Sequence, residues 1–171
     1  MGSIAIALLS ELGYEVVAVT GKASSEEWLK KLGAASTLPR SELEVTPKAL
    51  GKTTWAGGVD TVGDKVLANM LSTTKYGGAV AACGLAGGMN LPTTVAPFIL
   101  RGVQLAGVES ALVPIERRTR VYERFSPILV KSGKLDLVSD KSQIVGLEDV
   151  PGIAEKMLKG QIQGRYVVTP K

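Results

Sequence analysis

Histidine is missing from all 171 residues, and cysteine occurs once, as Cys83. Without histidine no Ser-His-Asp or Cys-His catalytic set can be assembled inside the chain, and no histidine-ligated zinc or iron site. A lone thiol among scattered carboxylates does not make a structural zinc site either, so no metal is expected. One cysteine also excludes an internal disulfide and fits a reducing compartment, which makes the cytoplasm the expected location. Long apolar runs are lacking: Ile4–Leu9 and Val16–Val19 fall far short of the roughly 20 residues that cross a bilayer. No leader pattern is legible at the start, and no membrane association is expected. The basic excess is small, with a net charge of +4 and a pI near 9.2. Arg117, Arg118 and Arg120 lie in a stretch of periodic apolar residues and read as a solvated helix face, so no nucleic-acid partner is expected. Any chemistry must rest on a bound cofactor, on Lys, Tyr or Asp groups, or on residues outside this chain.

What the chain does have is glycine, 20 of them, and an apolar fraction of 45%, enough for one domain with a real core. The patterning alternates. Ser3–Leu12 is nearly all small and apolar and reads as a buried helix stopped by Gly13. Glu15–Thr20 is a β-branched run and reads as a buried parallel strand. Ser24 or Ser25 caps a second helix, with Glu26 and Glu27 in its first turn, Lys30 and Lys31 in its last, and Gly33 as its stop. Ser36–Leu38 is a short strand broken by Pro39, and Ser41–Thr54 is polar and loop-like. A strand from Trp55 leads to a cap at Asp64 and a helix over Lys65–Ser72. Gly77 and Gly78 are expected to turn the chain into a strand, Ala79–Cys83, that ends in the glycine-rich loop Gly84–Gly88. A short amphipathic turn, Ala96–Arg101, precedes a strand at Val103–Val108. Pro114 starts a helix that runs toward Phe125, and Pro127 either kinks it or begins a new one. Val150–Leu158 is a last helix and Gly164–Thr169 a last strand. This order predicts an α/β fold with a doubly wound parallel sheet.

Ligands of such sheets sit at the carboxyl ends of the strands. The end of the strand that follows the first helix discriminates dinucleotides. An acid there accepts from an adenosine 2′-hydroxyl, whereas a 2′-phosphate needs a cation and room. Here Thr20 is followed by Gly21 and Lys22, with no acid until Glu26, and Arg40 ends the next strand. Spacing alone leaves two readings open, a phosphate site or ordinary surface cations. Other residues have structural explanations: Cys83 as a small core residue, Asp60 and Asp64 as turn and cap residues, and Tyr76 as part of a turn.

The stretches VVAVTGKASSEEWLKKLGA, WAGGVDTVGDKVLANML, YGGAVAACGLAGG, LPTTVAPFILRGVQLAGVES and GQIQGRYVV strongly resemble the acrylyl-CoA reductase and quinone oxidoreductase branch of the medium-chain dehydrogenase/reductases. The resemblance spans essentially the whole chain. It implies a Rossmann-like NADP(H) domain and NADPH-dependent, zinc-independent reduction of an enoyl thioester or a quinone, a small-molecule substrate, in a cytoplasmic homodimer. It implies that Thr20, Gly21, Lys22 and Arg40 hold the 2′-phosphate, that Gly84 belongs to a cofactor-facing loop, and that Leu85, Ile99 and Ser110 line the nicotinamide half of the groove. Gly160 falls where relatives often carry a polar side chain, and it can offer backbone only. Arg165 is a candidate anion contact for substrate, or a structural cation paired with an acid.

By the same resemblance, Gly2 and Ser3 are the last members of a pyrophosphate-binding glycine loop. The chain is then expected to be a carboxyl-terminal fragment: a cofactor domain over 1–139 without its first strand, and a segment over 140–171 that returns to a catalytic domain. The catalytic residues would lie in that domain and stay unknown. The gap left by the first strand is expected to close by pairing of Glu15–Thr20 with the strand ending near Val62, or to be filled by another segment. A different class of function is a non-catalytic nucleotide-binding or dimerisation module.

Overall fold

Strands and helices alternate through the first hundred residues of the computed structural model, which describes residues 1–170. Helix α1 (Gly2–Glu11) leads through Gly13 to strand β1 (Val17–Thr20). A single 3₁₀ turn then opens α2 (Glu26–Lys31), whose acidic first turn and basic last turn match the helix dipole. Strand β2 (Ser36–Pro39) runs parallel to β1, with Val17 opposite Ser36 and Thr20 opposite Pro39. After a loop come β3 (Trp55–Asp60), α3 (Asp64–Thr73), β4 (Thr74–Ala82), α4 (Ala96–Arg101) and β5 (Gln104–Gly107). The chain then turns helical in α5 (Ile115–Ser132) and α6 (Lys134–Ser139). It closes with β6 (Ser142–Val145), α7 (Val150–Leu158) and β7 (Arg165–Val168).

Every ladder is parallel, as expected of this α/β class, but the strands fall into three separate sheets: β1-β2, β3-β4-β5 and β6-β7. The expected bridging of the central gap does not occur. Among the described residues no ladder joins β1 to β3 and no other segment is paired between them. The apolar core explains how each part holds without that pairing. Ala18, Leu29, Leu32, Ala34 and Val138 form one buried cluster around β1-β2, and Leu67, Met70, Leu71, Val80 and Val103 form another around β3-β5. Each half has its own cluster, though of β3 only Asp60 is buried. On β3, Val59 is left exposed.

Four local expectations are corrected. Gly77 and Gly78 do not turn the chain; they lie inside β4 at an irregularity where Trp55 faces Thr74 but Gly57 already faces Ala79. The strand absorbs the extra residues because Gly77 adopts φ +72°, which a side chain would resist. Asp64 is not the cap of α3: Gly63 occupies that position, and Asp60 instead accepts the amides of Val62 and Gly63 at 3.2 and 2.8 Å. Of the two readings for Pro127, the start of a new helix does not occur: α5 runs through it. The helix bond it removes would have gone to Glu123, which is exposed, so water can serve that carbonyl. Helix α6 and strand β6 were not foreseen: each is only a turn or a few residues long, too short for a period to show, and β6 is an edge strand with exposed Gln143 and Ile144. Among the described residues no helix is long and apolar enough to cross a membrane.

Candidate functional site

The carboxyl ends of β1 and β2 enclose a cleft of about 370 Å³, and Thr20, Gly21, Thr37 and Arg40 line it. The parallel register places Thr20 beside Pro39, so Gly21 and Arg40, one residue past each, are brought side by side. Their contact depends on the missing side chain. A Cβ on Gly21 would lie 3.2 Å from Arg40 Nη2 and 3.3 Å from Cζ, so the guanidinium lies over the bare backbone. Arg40 Nε donates to Glu44 Oε1 at 2.8 Å, and no hydrogen bond occupies its two Nη groups among the described residues. Thr20 Oγ1 accepts from the Lys22 amide at 3.1 Å and shapes the turn that leaves the cleft.

Lys22 is not among the lining residues. Its Nζ donates to the Ile162 carbonyl, and Gln163 Nε2 donates to Ser25 Oγ at 3.0 Å. These two bonds tie the segment around residues 161–163 to the turn after β1. Two carboxylates that the sequence reading did not assign to the site, Glu26 and Glu44, complete the cleft wall. Each is matched by a cation four residues away: Lys30 Nζ meets Glu26 Oε1 at 2.7 Å, and Arg40 meets Glu44. The hydrogen bond from Lys30, and then its charge, hold the Glu26 carboxyl below the usual carboxylate range. The i, i+4 spacing of these pairs is legible in the sequence, but which face of the chain they border is not.

A second polar cluster sits at the start of α1. Arg165 Nη2 donates to Ser3 Oγ at 3.3 Å and Nη1 to the Val138 carbonyl at 3.4 Å. Among the described residues Arg165 therefore pairs with a hydroxyl and a carbonyl and with no acid, and it brings a cation to the helix turn that holds Gly2 and Ser3. The loops after β3 and β4 are joined directly: the Gly87 amide donates to the Val62 carbonyl at 2.7 Å, and Gly63 bridges Gly88. Gly84 has to be glycine here, because a Cβ would meet the Thr61 carbonyl oxygen at 2.5 Å. Leu85 beside it is exposed, as are Ile99 on α4 and Ser110 beyond β5, whose carbonyl accepts from Arg118. Gly160 ends α7 with φ +68° and open space around it.

Cys83 donates its thiol to the Asp60 carbonyl at 3.1 Å, and burial, with Asp60's charge behind it, pushes its pKa up. A thiol so placed stays protonated and is a poor nucleophile. Among the described residues no group of three or more His, Cys, Asp and Glu side chains is arranged to hold a metal ion. A second cleft of about 390 Å³ lies between β6-β7 and the end of α7, walled by Lys141, Gln143, Gln161, Gln163 and Tyr166 among others. None of the residues singled out from the sequence belongs to it.

The profile of a family described as zinc-binding dehydrogenase matches residues 1–123. A protein of Escherichia coli K12 named as a probable acrylyl-CoA reductase is 50% identical over 98% of this chain and 50% of its own length. The crystal structure of E. coli K-12 YhdH with bound NADPH is similar with a TM-score of 0.88 at 50% identity, over 98% of this chain and 50% of that one. The Bacillus subtilis protein YhfP, crystallised with NAD bound, gives a TM-score of 0.86 at 44% identity, over 98% of this chain and 50% of that one. The chain thus spans about half the length of the curated relatives it matches.

Proposed function

Because the chain belongs to the zinc-binding dehydrogenase family, we propose that it is the NADP(H)-binding part of a reductase acting on an enoyl thioester or a quinone. The single observation that carries this reading is the cleft at the ends of β1 and β2, where the Arg40 guanidinium lies over Gly21 with both Nη groups unspent. An adenosine 2′-phosphate fits that donor set: it is anionic, it needs room where an acid would otherwise stand, and a guanidinium can meet two of its oxygens at once. Arg40 takes the role of principal cation. Lys22, tied to Ile162, acts on the same corner by holding the segment around residues 161–163 in place.

At the start of α1, the Gly2 and Ser3 amides, ahead of the Ile4 and Ala5 amides that donate to the Met1 carbonyl, and the Arg165 guanidinium beside Ser3 suit a pyrophosphate. Arg165 then serves the cofactor rather than the substrate. Leu85, Ile99 and Ser110 are exposed positions suited to the nicotinamide half. When bound, the cofactor supplies a hydride; these residues bind and orient it. We extend this to a zinc-independent member of the family, as the resemblance carried by DTVGDKVL and LPTTVAPFILR implies. The exposed strand β5 suits a homodimer that pairs this edge across a two-fold axis, and residues 140–171 suit a segment that joins the cofactor domain to the other half of such enzymes. A small-molecule substrate and a cytoplasmic setting follow from the same reading.

The test is a calorimetric titration of NADPH and NADH into the 171-residue chain. Charge-assisted hydrogen bonds contribute roughly 1.5–3 kcal/mol each, so NADPH should bind at least about tenfold more tightly. Equal affinities would remove the reading. The comparison discriminates because one solved relative carries NADPH and another NAD.

A further inference from the structure

Arg40 can meet a phosphate only if its guanidinium is turned into the cleft, and the sequence around it contains a device for doing so. Leu43 is buried, and on either side of Glu44 the carbonyls of Leu43 and Val45 both accept from the buried Asn69 Nδ2, at 2.9 and 2.8 Å. The Glu44 backbone is therefore pinned to α3. From that fixed point its carboxylate accepts Arg40 Nε at 2.8 Å, while Pro39 holds φ at −57° just before Arg40. With Nε engaged, the planar guanidinium can rotate little, and Nη2 stays over Gly21. The pair is half exposed and spaced i, i+4, so its contribution to folding is small. Its geometry matters more than its energy.

We infer that Glu44 is a positioning residue for the 2′-phosphate subsite: it fixes Arg40 so that the two Nη groups face the cleft, and so sets the preference for a 2′-phosphorylated cofactor. This inference rests on the NADP(H) reading of the cleft. A bare carboxylate in the cleft wall would repel a phosphate. Glu44 can favour one only because its charge is spent on Nε and its oxygen is used as a fixed acceptor. That separates two substitutions. Glu44→Gln keeps an acceptor oxygen and removes the charge, whereas Glu44→Ala removes both.

The experiment measures dissociation constants of adenosine 2′,5′-bisphosphate and ADP by calorimetry for the 171-residue chain and both variants, with thermal melting as a control. The unmodified chain is expected to prefer the 2′,5′-bisphosphate. Glu44→Gln should keep that affinity or improve it. Glu44→Ala should weaken it by about three- to tenfold, the cost of ordering a freed long side chain on binding, with ADP affinity and melting temperature unchanged. In an Arg40→Lys background, where there is no Nε to hold, Glu44→Ala should no longer weaken binding. Tighter bisphosphate binding in both Glu44 variants would overturn the inference, since Glu44 would then be only a repelling charge. An unchanged affinity in Glu44→Ala would overturn it too, with the cofactor reading left standing. A chain with no preference for the 2′,5′-bisphosphate would overturn the cofactor reading and this inference together.

Discussion

Gly21→Asp is the perturbation that bears hardest on the proposed cofactor choice. Gly21 lies outside the left-handed region of backbone space, so a side chain there brings no backbone strain. Its Cβ would approach Arg40 Nη2 at 3.2 Å, a contact with the far end of a flexible side chain that a shift of a few tenths of an ångström relieves. Gly21→Ala should therefore fold normally and lose little affinity. Aspartate at the same place puts a carboxylate within ion-pairing distance of the guanidinium and inside the space a 2′-phosphate would fill. The phosphate loses a charge-assisted contact, roughly 1.5–3 kcal/mol, and NADPH affinity should fall by about 10- to 150-fold. The same carboxylate can accept from a 2′-hydroxyl, so NADH affinity should hold or rise. The assay is titration of both cofactors at low and at physiological salt, since screening over about 8 Å will compress the difference in the second. A Gly21→Asp chain that melts normally and keeps its NADPH-to-NADH ratio would refute the reasoning.

Lys22→Ala should change the same ratio less than Arg40→Ala does, because the Lys22 amine is spent on Ile162; protease sensitivity of the segment around residues 161–163 is where its loss should show. Asn69→Ala removes the donor to three carbonyls, those of Leu43, Val45 and Lys65, and each buried acceptor left unpaired costs roughly 1–3 kcal/mol. Urea unfolding should detect a loss of at least about 1 kcal/mol. Cys83, its pKa raised by burial and by Asp60, should react with iodoacetamide at neutral pH more slowly than a free cysteine. Its rate should still be rising with pH where the free thiol has levelled off. Leu105→Pro, which takes a donor out of the exposed strand β5, should abolish any dimer seen by sedimentation equilibrium; a dimer that survives it uses another surface.

The alternation of β-branched runs with amphipathic stretches carried most of the fold, since parallel strands buried on both faces leave short apolar runs that periodicity detects. Val17–Thr20 was legible as such a run, and the helix Val150–Leu158 from its amphipathic stretch ahead of Gly160. Ser142–Val145 was not, because an edge strand with exposed Gln143 and Ile144 carries no such run. Gly77 and Gly78 misled because a glycine pair signals a turn and a bulge equally well; only the partner strand's register decides. The site divides the same way. Gly21 and Arg40 were legible from their places at strand ends, one residue past Thr20 and Pro39. The aim of the Lys22 side chain, set by a carbonyl 140 positions away, and the pinning of Glu44 by Asn69 depend on tertiary neighbours that local sequence does not reveal.

Backbone amide chemical shifts of the 171-residue chain during an NADPH titration read directly where the cofactor sits. The amides of Thr20, Gly21 and Ser41 and those of the first turn of α1 should move together and saturate at one concentration. NADH should move the α1 amides while leaving Gly21 and Ser41 nearly still. Shifts confined to Lys141, Gln143 and Tyr166 around the other cleft, with Gly21 and Ser3 unmoved, would contradict the assignment of this domain.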